Sequence, residues 1–378
     1  MKIREIRAAG LRGETPSGGW LHELTPTDVV HTLLTLHTDE GLVGVGSVFT
    51  SEVLVKASLE LLNDLVIGES ALEPVRVSEK LHQNTFWQGR GGAVTHTISG
   101  IDIALWDIFS QATGQPLSRL LGGSYRDRVR PYASVLMSAP DTLFTTLLGK
   151  KEDGFTAFKI GWGPFGRVSK ELDRAIISAA RDAVGSDSLL AVDAGGSDAY
   201  WKRDAMWAQN TSKMLEEYDV AWFEEPLSPD DHNGFKTLTA SSAVPISGGE
   251  VLTRRQSFQP YLENNLVNII QPDVTKVGGI SEFVRIAQAA EDRHIRVIPH
   301  GWNTAVGLAV DLQLAAALPG TDLVEYCTGS AYIDAIVTQP WRLDSEGMLS
   351  IPSTPGLGLS LDYEAVENFT NGVDLFTP

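Results

Sequence analysis

The chain has 378 residues, with 48 acidic and 30 basic side chains, one cysteine and 43% apolar residues. That length suits a barrel with an appendage better than a small module, and the apolar share argues against disorder. A lone Cys327 excludes an intramolecular disulfide, a Cys-rich zinc module and an iron–sulfur cluster, while a net charge of −18 with no basic run longer than Arg254-Arg255 or Lys150-Lys151 argues against nucleic acid or an anionic membrane surface as partner.

The opening third reads as a small α+β domain, over about residues 1–128. Val29 to His37 is β-branched and apolar, Asp39-Glu40-Gly41 turns the chain, and Leu42 to Gly46 runs back as a hairpin partner. A helical segment from Leu54 to Leu65 follows, then polar, Gly-rich sequence through Gly92. Ile101, Leu105, Ile108 and Ala112 mark one face of a second helix, which Ser99 caps and Gly114 with Pro116 closes. The first residues, Met1-Lys2-Ile3-Arg4-Glu5, lack the apolar core of a signal peptide, and no stretch approaches the roughly 18 apolar residues of a membrane span. A cytoplasmic protein is expected.

From 129 to 344 the texture becomes a repeat of form. Strand-like apolar runs fall at 131–136, 155–160, 188–193, 220–224, 244–248, 266–271, 295–299 and 322–326, separated by segments with helical spacing such as Leu172 to Val184 and Ile280 to Asp292. Alternation on this scale predicts a (β/α)8 TIM-type barrel. The Pro- and Gly-bearing tail, 345–378, is expected to return to the N-terminal domain.

In a barrel, the C-terminal ends of the strands converge on one mouth. Read at those ends, successive strands deliver Lys159, Asp193, Glu224, Glu250, Asp273, His300 and Glu325. Asp193, Glu224 and Glu250 form an all-oxygen set suited to Mg²⁺, because crowded carboxylates oppose one another's ionisation without a cation. Glu225 competes with Glu224, but neighbours on a strand point opposite ways, and Glu224 is the choice. Asp273 and His300 pair as a tuned acid–base, with Lys159 across the mouth expected to lose proton affinity on burial. Glu325, if protonated, could donate a hydrogen bond to an enediolate. Together these groups suit removal of a proton next to a carboxylate.

Several stretches carry a resemblance. They include His37 to Gly44, Gly100 to Asp107, Leu120 to Gly123, Trp222-Phe223-Glu224-Glu225-Pro226, Gly249-Glu250, Gln271 to Gly279 and Pro299-His300. In this ordered set the chain resembles the enolase superfamily, in its mandelate racemase-like branch. The resemblance implies a modified barrel under an α+β cap. It implies Asp193, Glu224 and Glu250 as Mg²⁺ ligands, Lys159 and the Asp273–His300 dyad as opposed bases, and Glu325 as the hydrogen-bonding acid. The family's Lys-x-Lys on the second strand is Ala157-Phe158-Lys159 here, and its Asn two residues after the first metal ligand is Gly195. Both departures weigh against a racemase or epimerase and toward a dehydratase that converts an aldonate or aldarate to a 2-keto-3-deoxy acid.

Substrate contacts are expected from Trp20 in the Gly18-Gly19-Trp20 loop, Arg90, Trp162, Trp302 and Asn303, the last suited to sugar hydroxyls. Gly161 to Gly166 also matches G-x-G-x-x-G after a strand, which keeps an NAD-dependent oxidoreductase as an alternative, although Asp193 lies too far beyond it for the usual ribose contact. The expectation is a homo-oligomeric enzyme acting on a small sugar acid.

Overall fold

The structure, a computed structural model, describes residues 1–13, 30–196 and 204–377. Trp20, His22 and Val29 lie outside the described residues.

Three antiparallel strands, β1 (Ile3–Gly10), β2 (Thr32–Thr38) and β3 (Val43–Val48), form the N-terminal sheet in that order. β2 is buried on both faces. Leu34 and Leu36 meet the core shared with the helices, whereas Thr35 Oγ1 donates to the Leu375 carbonyl at 2.8 Å and His37 Nε2 bonds it at 2.9 Å. The tail thus covers the face opposite the helices. It also pairs β12 (Leu349–Ser350) antiparallel with the first barrel strand, and sends the Gly356 and Leu357 N–H groups to Ser110 and Asp107.

Helices Glu52–Val66, Pro74–Asn84 and Gly92–Thr113 complete the cap. The longest starts well before Ser99, which sits inside it as a buried residue. Ser99 Oγ donates back to the Thr95 carbonyl at 3.1 Å and accepts the Gly278 N–H at 2.8 Å. Gly114 closes that helix in the left-handed region, as the sequence predicts. β1 and the helix Pro74–Asn84 go beyond the sequence reading: the helix buries only Val77 and Leu81 among its large apolar residues, a stripe too thin to stand out. Gly44 and Gly46 let β3 lie against the Ala104 and Gly100 carbonyls, where a Cβ would collide with backbone.

Eight parallel strands form the barrel: β4 (Arg128–Leu136), β5 (Ala157–Gly161), β6 (Leu189–Asp193), β7 (Phe223–Glu224), β8 (Ile246–Gly248), β9 (Ile269–Ile270), β10 (Arg296–Val297) and β11 (Leu323–Cys327). Each pairs with the next from β4 to β10, and β11 pairs with β4. Across the β10–β11 seam, Arg296 pairs with Asp322 and the Gly301 N–H donates to Glu325. Every strand falls within or beside its expected run, although several are shorter. A helix of ten or more residues follows each strand from β4 to β10, but only one turn, Ala331–Asp334, follows β11, so the barrel is modified at its eighth unit.

The cap is seated on the end of the loop after β9, where Ser99 accepts the Gly278 N–H, and on the first turn of the helix Ile280–Glu291 that follows. Ser281 donates to Asp102 through its N–H at 2.9 Å and its hydroxyl at 2.6 Å, and Trp106 Nε1 donates to Ser281 Oγ at 3.0 Å. The loop that carries Asp273 is therefore braced by the long cap helix. No helix among the described residues is long and apolar enough to cross a membrane.

Candidate active site

The strand ends converge as parallel pairing requires. Asp193 and Glu224 are register partners across β6 and β7, and Glu250 follows β8. One carboxylate oxygen from each of Asp193, Glu224 and Glu250 lies within 4.8 Å of the others, and all three residues are buried. Glu225, at φ 39°, is outside this group. Burial, together with Glu224 and Glu250, pushes the Asp193 carboxyl well above its usual range despite Lys159. Three hard oxygen donors gathered this closely fit a divalent cation such as Mg²⁺.

Lys159, only 3% exposed, is the first cation these acids meet. Its Nζ lies 2.7 Å from Glu224 Oε1, 3.1 Å from Glu325 Oε1 and 3.8 Å from Asp193 Oδ2. Burial alone would lower its proton affinity, but Glu224 and Glu325 outweigh burial and hold it well above the ordinary lysine range. This reverses the expected direction, because the sequence did not reveal that Glu325 approaches Lys159. For the same reason Glu325 is an ionised acceptor rather than a protonated donor. Burial would raise its pKa, but Lys159 and His300 bring it low, and it accepts from the Gly301 N–H at 2.8 Å and the Tyr132 hydroxyl at 3.2 Å.

On the other wall, His300 Nδ1 lies 2.8 Å from Asp273 Oδ2 and Nε2 lies 3.1 Å from Glu250 Oε2. Burial works against the imidazolium, yet Glu250 and Asp273 raise the His300 pKa overall. Asp273 is buried, but Lys276 and His300 bring its pKa below the usual range, with further bonds from the Thr275 N–H and hydroxyl.

The mouth contains a cavity whose wall includes Lys159, Asp193, Glu250, Lys276, His300, Glu325, Phe49, Ser134, Leu136, Trp162 and Trp302. Trp162 and Trp302 therefore stand where substrate contact was expected. Asn303 does not: it is buried at the base of helix Ala305–Ala317, against Gly307, and is absent from the wall. Arg90 is exposed and also outside the wall, and its carbonyl accepts from Thr253 Oγ1 at 3.2 Å. The glycine-rich stretch after β5 forms part of the rim, with Asp193 committed to the acidic group rather than left for a ribose.

Other residues enter the site from the strand interiors. Trp222 Nε1 and Gln271 Nε2 donate to Glu224 Oε2 at 2.9 and 2.8 Å, and Tyr132 packs edge-on to Trp222 at 5.5 Å beneath Lys159. Their signal was strand alternation: Trp222 and Glu224 share a face by period two. Ala157, where the family's first lysine would stand, packs in the small core with Tyr132 and Trp222.

The chain and its fold match known proteins over nearly the whole length. Residues 24–122 match the mandelate racemase/muconate lactonizing enzyme N-terminal domain, and residues 146–366 match the enolase C-terminal domain-like family. A D-xylonate dehydratase of Haloferax volcanii is 31% identical over 99% of this chain and 96% of its own. A D-galactonate dehydratase of Pectobacterium atrosepticum is 30% identical over 91% and 92%. The crystal structure of a 3,6-anhydro-D-galactonate cycloisomerase from Zobellia galactanivorans superposes with a TM-score of 0.87 at 29% identity, covering 98% of this chain and 99% of that one. The chain belongs to the enolase superfamily, in its mandelate racemase-like branch.

Proposed function

We propose that the chain is a Mg²⁺-dependent sugar-acid dehydratase that converts an aldonate or aldarate to a 2-keto-3-deoxy acid. The observation that carries this reading is the His300–Asp273 dyad set directly beside the acidic group, with His300 Nε2 3.1 Å from Glu250. The dehydratases among the relatives support it.

Asp193, Glu224 and Glu250 would hold the cation, which supplies positive charge opposite the second negative charge that builds on a carboxylate as its α-proton leaves. His300 Nε2 is the proton-moving atom, since Nδ1 is committed to Asp273. It takes the 2-proton. The C–H electron pair passes onto the carboxylate as an enediolate and then returns to form the C2–C3 double bond as the C3–O bond breaks, and Nε2 returns a proton to the departing hydroxyl, which leaves as water. The enol then tautomerises to the ketone. A proton affinity raised by Glu250 and Asp273 suits a group that must first accept a weakly acidic proton and then release it.

Lys159 is the other candidate base on the opposite wall. Pinned between Glu224 and Glu325, it serves better as a fixed cation, which disfavours racemisation, a reaction that needs two exchanging bases. We also divide the chain into a cap at 1–128, a barrel at 129–344 and a returning segment at 345–378. We place the protein in the cytoplasm as a homo-oligomer.

A panel of sugar acids assayed for 2-keto-acid formation, with Mg²⁺ and with chelator, tests the reading. Product that depends on Mg²⁺ and disappears in His300→Asn supports it. Exchange of the 2-proton with D₂O without keto product would replace it with racemisation or epimerisation, and no reaction with any acid would remove it.

A further inference from the structure

The polar capacity of the cavity is concentrated around the acid–base groups. Lys159 donates to Glu224 and lies 3.1 Å from Glu325 Oε1, His300 bonds Asp273 and faces Glu250, and Ser134 bonds Glu325. Lys276 has unspent donors, its nearest carboxylates being Asp273 Oδ2 at 3.7 Å and Glu250 Oε1 at 3.9 Å, but it stands beside those same groups. The rest of the wall, among the described residues, is mainly apolar: Phe49, Val135, Leu136 and the indole rings of Trp162 and Trp302. Lys276 packs over the Phe49 ring at 4.2 Å, so the edge between the two regions is sharp. Asn303 is buried and lies outside this wall.

A substrate anchored by its carboxylate and its C2 and C3 substituents among the charged groups must place its remaining carbons against this apolar wall. Each hydroxyl buried there without a partner loses its hydrogen bonds to water, whereas C–H groups gain contact with the indole and phenyl faces. We propose that the site selects sugar acids whose carbons beyond C3 carry few free hydroxyls. Such acids are either deoxygenated at the far end or have those oxygens tied into an anhydro ring; in a 3,6-anhydro acid the C3–O bond that breaks is the ring ether, so its oxygen takes the proton and stays on C6 as a hydroxyl, and the ring opens to the 2-keto-3-deoxy acid without loss of water. This inference rests on the sugar-acid reading above and narrows it.

The test is a panel of hexonates, their 6-deoxy counterparts of the same configuration and 3,6-anhydrohexonates, with kcat/KM determined for each. The best 6-deoxy or anhydro acid is expected to exceed the best hexonate by at least tenfold, a difference of about 1.4 kcal/mol. The two arms identify which source of low hydroxyl content is used. Trp302→Gln, at a half-buried position on the mouth where folding is little at risk, is expected to reduce that ratio to threefold or less by raising KM for the favoured acid. Hexonates turned over as well as or better than the others would overturn the inference while leaving the dehydratase reading intact. Trp302→Gln with an unchanged ratio would also count against it. No turnover of any acid would remove the parent reading and this one with it.

Discussion

Lys159 and Glu224 form a 2.7 Å ion pair out of contact with solvent, so a group placed to hold a cation is already neutralised by one placed to face substrate. A metal ion at the acidic group and the lysine ammonium therefore draw on the same carboxylate. Removing the ammonium leaves buried acids without compensation, which costs on the order of 3–5 kcal/mol in comparable buried pairs. In Lys159→Met the thermal midpoint is expected to fall in chelator, and added Mg²⁺ to restore more of it than it adds to the parent. Calorimetric unfolding with and without Mg²⁺ checks this; a variant unchanged in chelator would show that the pair carries little stability.

Glu250 links the acidic group to the dyad, standing within reach of Asp193 and Glu224 and 3.1 Å from His300 Nε2. Glu250→Gln keeps the shape and removes the charge. Its expected result is loss of the Mg²⁺-dependent rise in thermal midpoint, measured by titrating the ion during unfolding. A rise equal to the parent's would take Glu250 out of the ligand set.

Asp273 acts on His300 through the 2.8 Å bond to Nδ1, one of the influences that raise the imidazole's pKa. With Asp273→Asn that influence is lost. The His300-dependent limb of the pH–rate profile is expected to move to lower pH, with kcat falling by roughly a hundredfold or more as orientation is lost. Steady-state kinetics across pH measures both, and an unmoved limb would assign that limb to another group.

Asp102 makes the cap–barrel junction sensitive to pH. Burial raises its carboxyl from 3.8 to about 7, against the hydrogen bonds from Ser281. Between those two values the folded protein keeps a proton that the unfolded chain has released, so this group's contribution falls as pH rises and is fully lost above pH 7. Asp102→Asn has no proton to lose. Its thermal midpoint relative to the parent is therefore expected to climb across that window and then level off. A constant difference across the window would mean that Asp102 is ionised in the folded protein.

Much of the architecture is local information. The strand runs, the turn at Asp39-Glu40-Gly41 and the closure of the long helix at Gly114 follow from side-chain period and backbone preference within a few residues. A barrel then does the rest of the placing. Parallel strands end on one rim, so ionisable residues at the ends of successive runs, far apart in the chain, converge at that rim, as Lys159, Asp193 and Glu224 do. Glu224 rather than Glu225 could be chosen because pleating alternates the side chains.

Where that logic failed, the deciding contact came from a distant element. Ser99 looked like a cap because its role, accepting the Gly278 N–H, lies across the cap–barrel interface. Asn303 looked available to substrate because only the packing of the next helix buries it against Gly307. The proton affinities of Lys159 and Glu325 were inverted because their separation, 3.1 Å, is set by β4 standing between β5 and β11 in the closed barrel. Sequence period determines which face a side chain takes, since that depends on the local backbone alone. Which charge that face meets, and hence whether a lysine is a base or a fixed cation, depends on barrel closure, because electrostatic interaction follows distance in space rather than position along the chain.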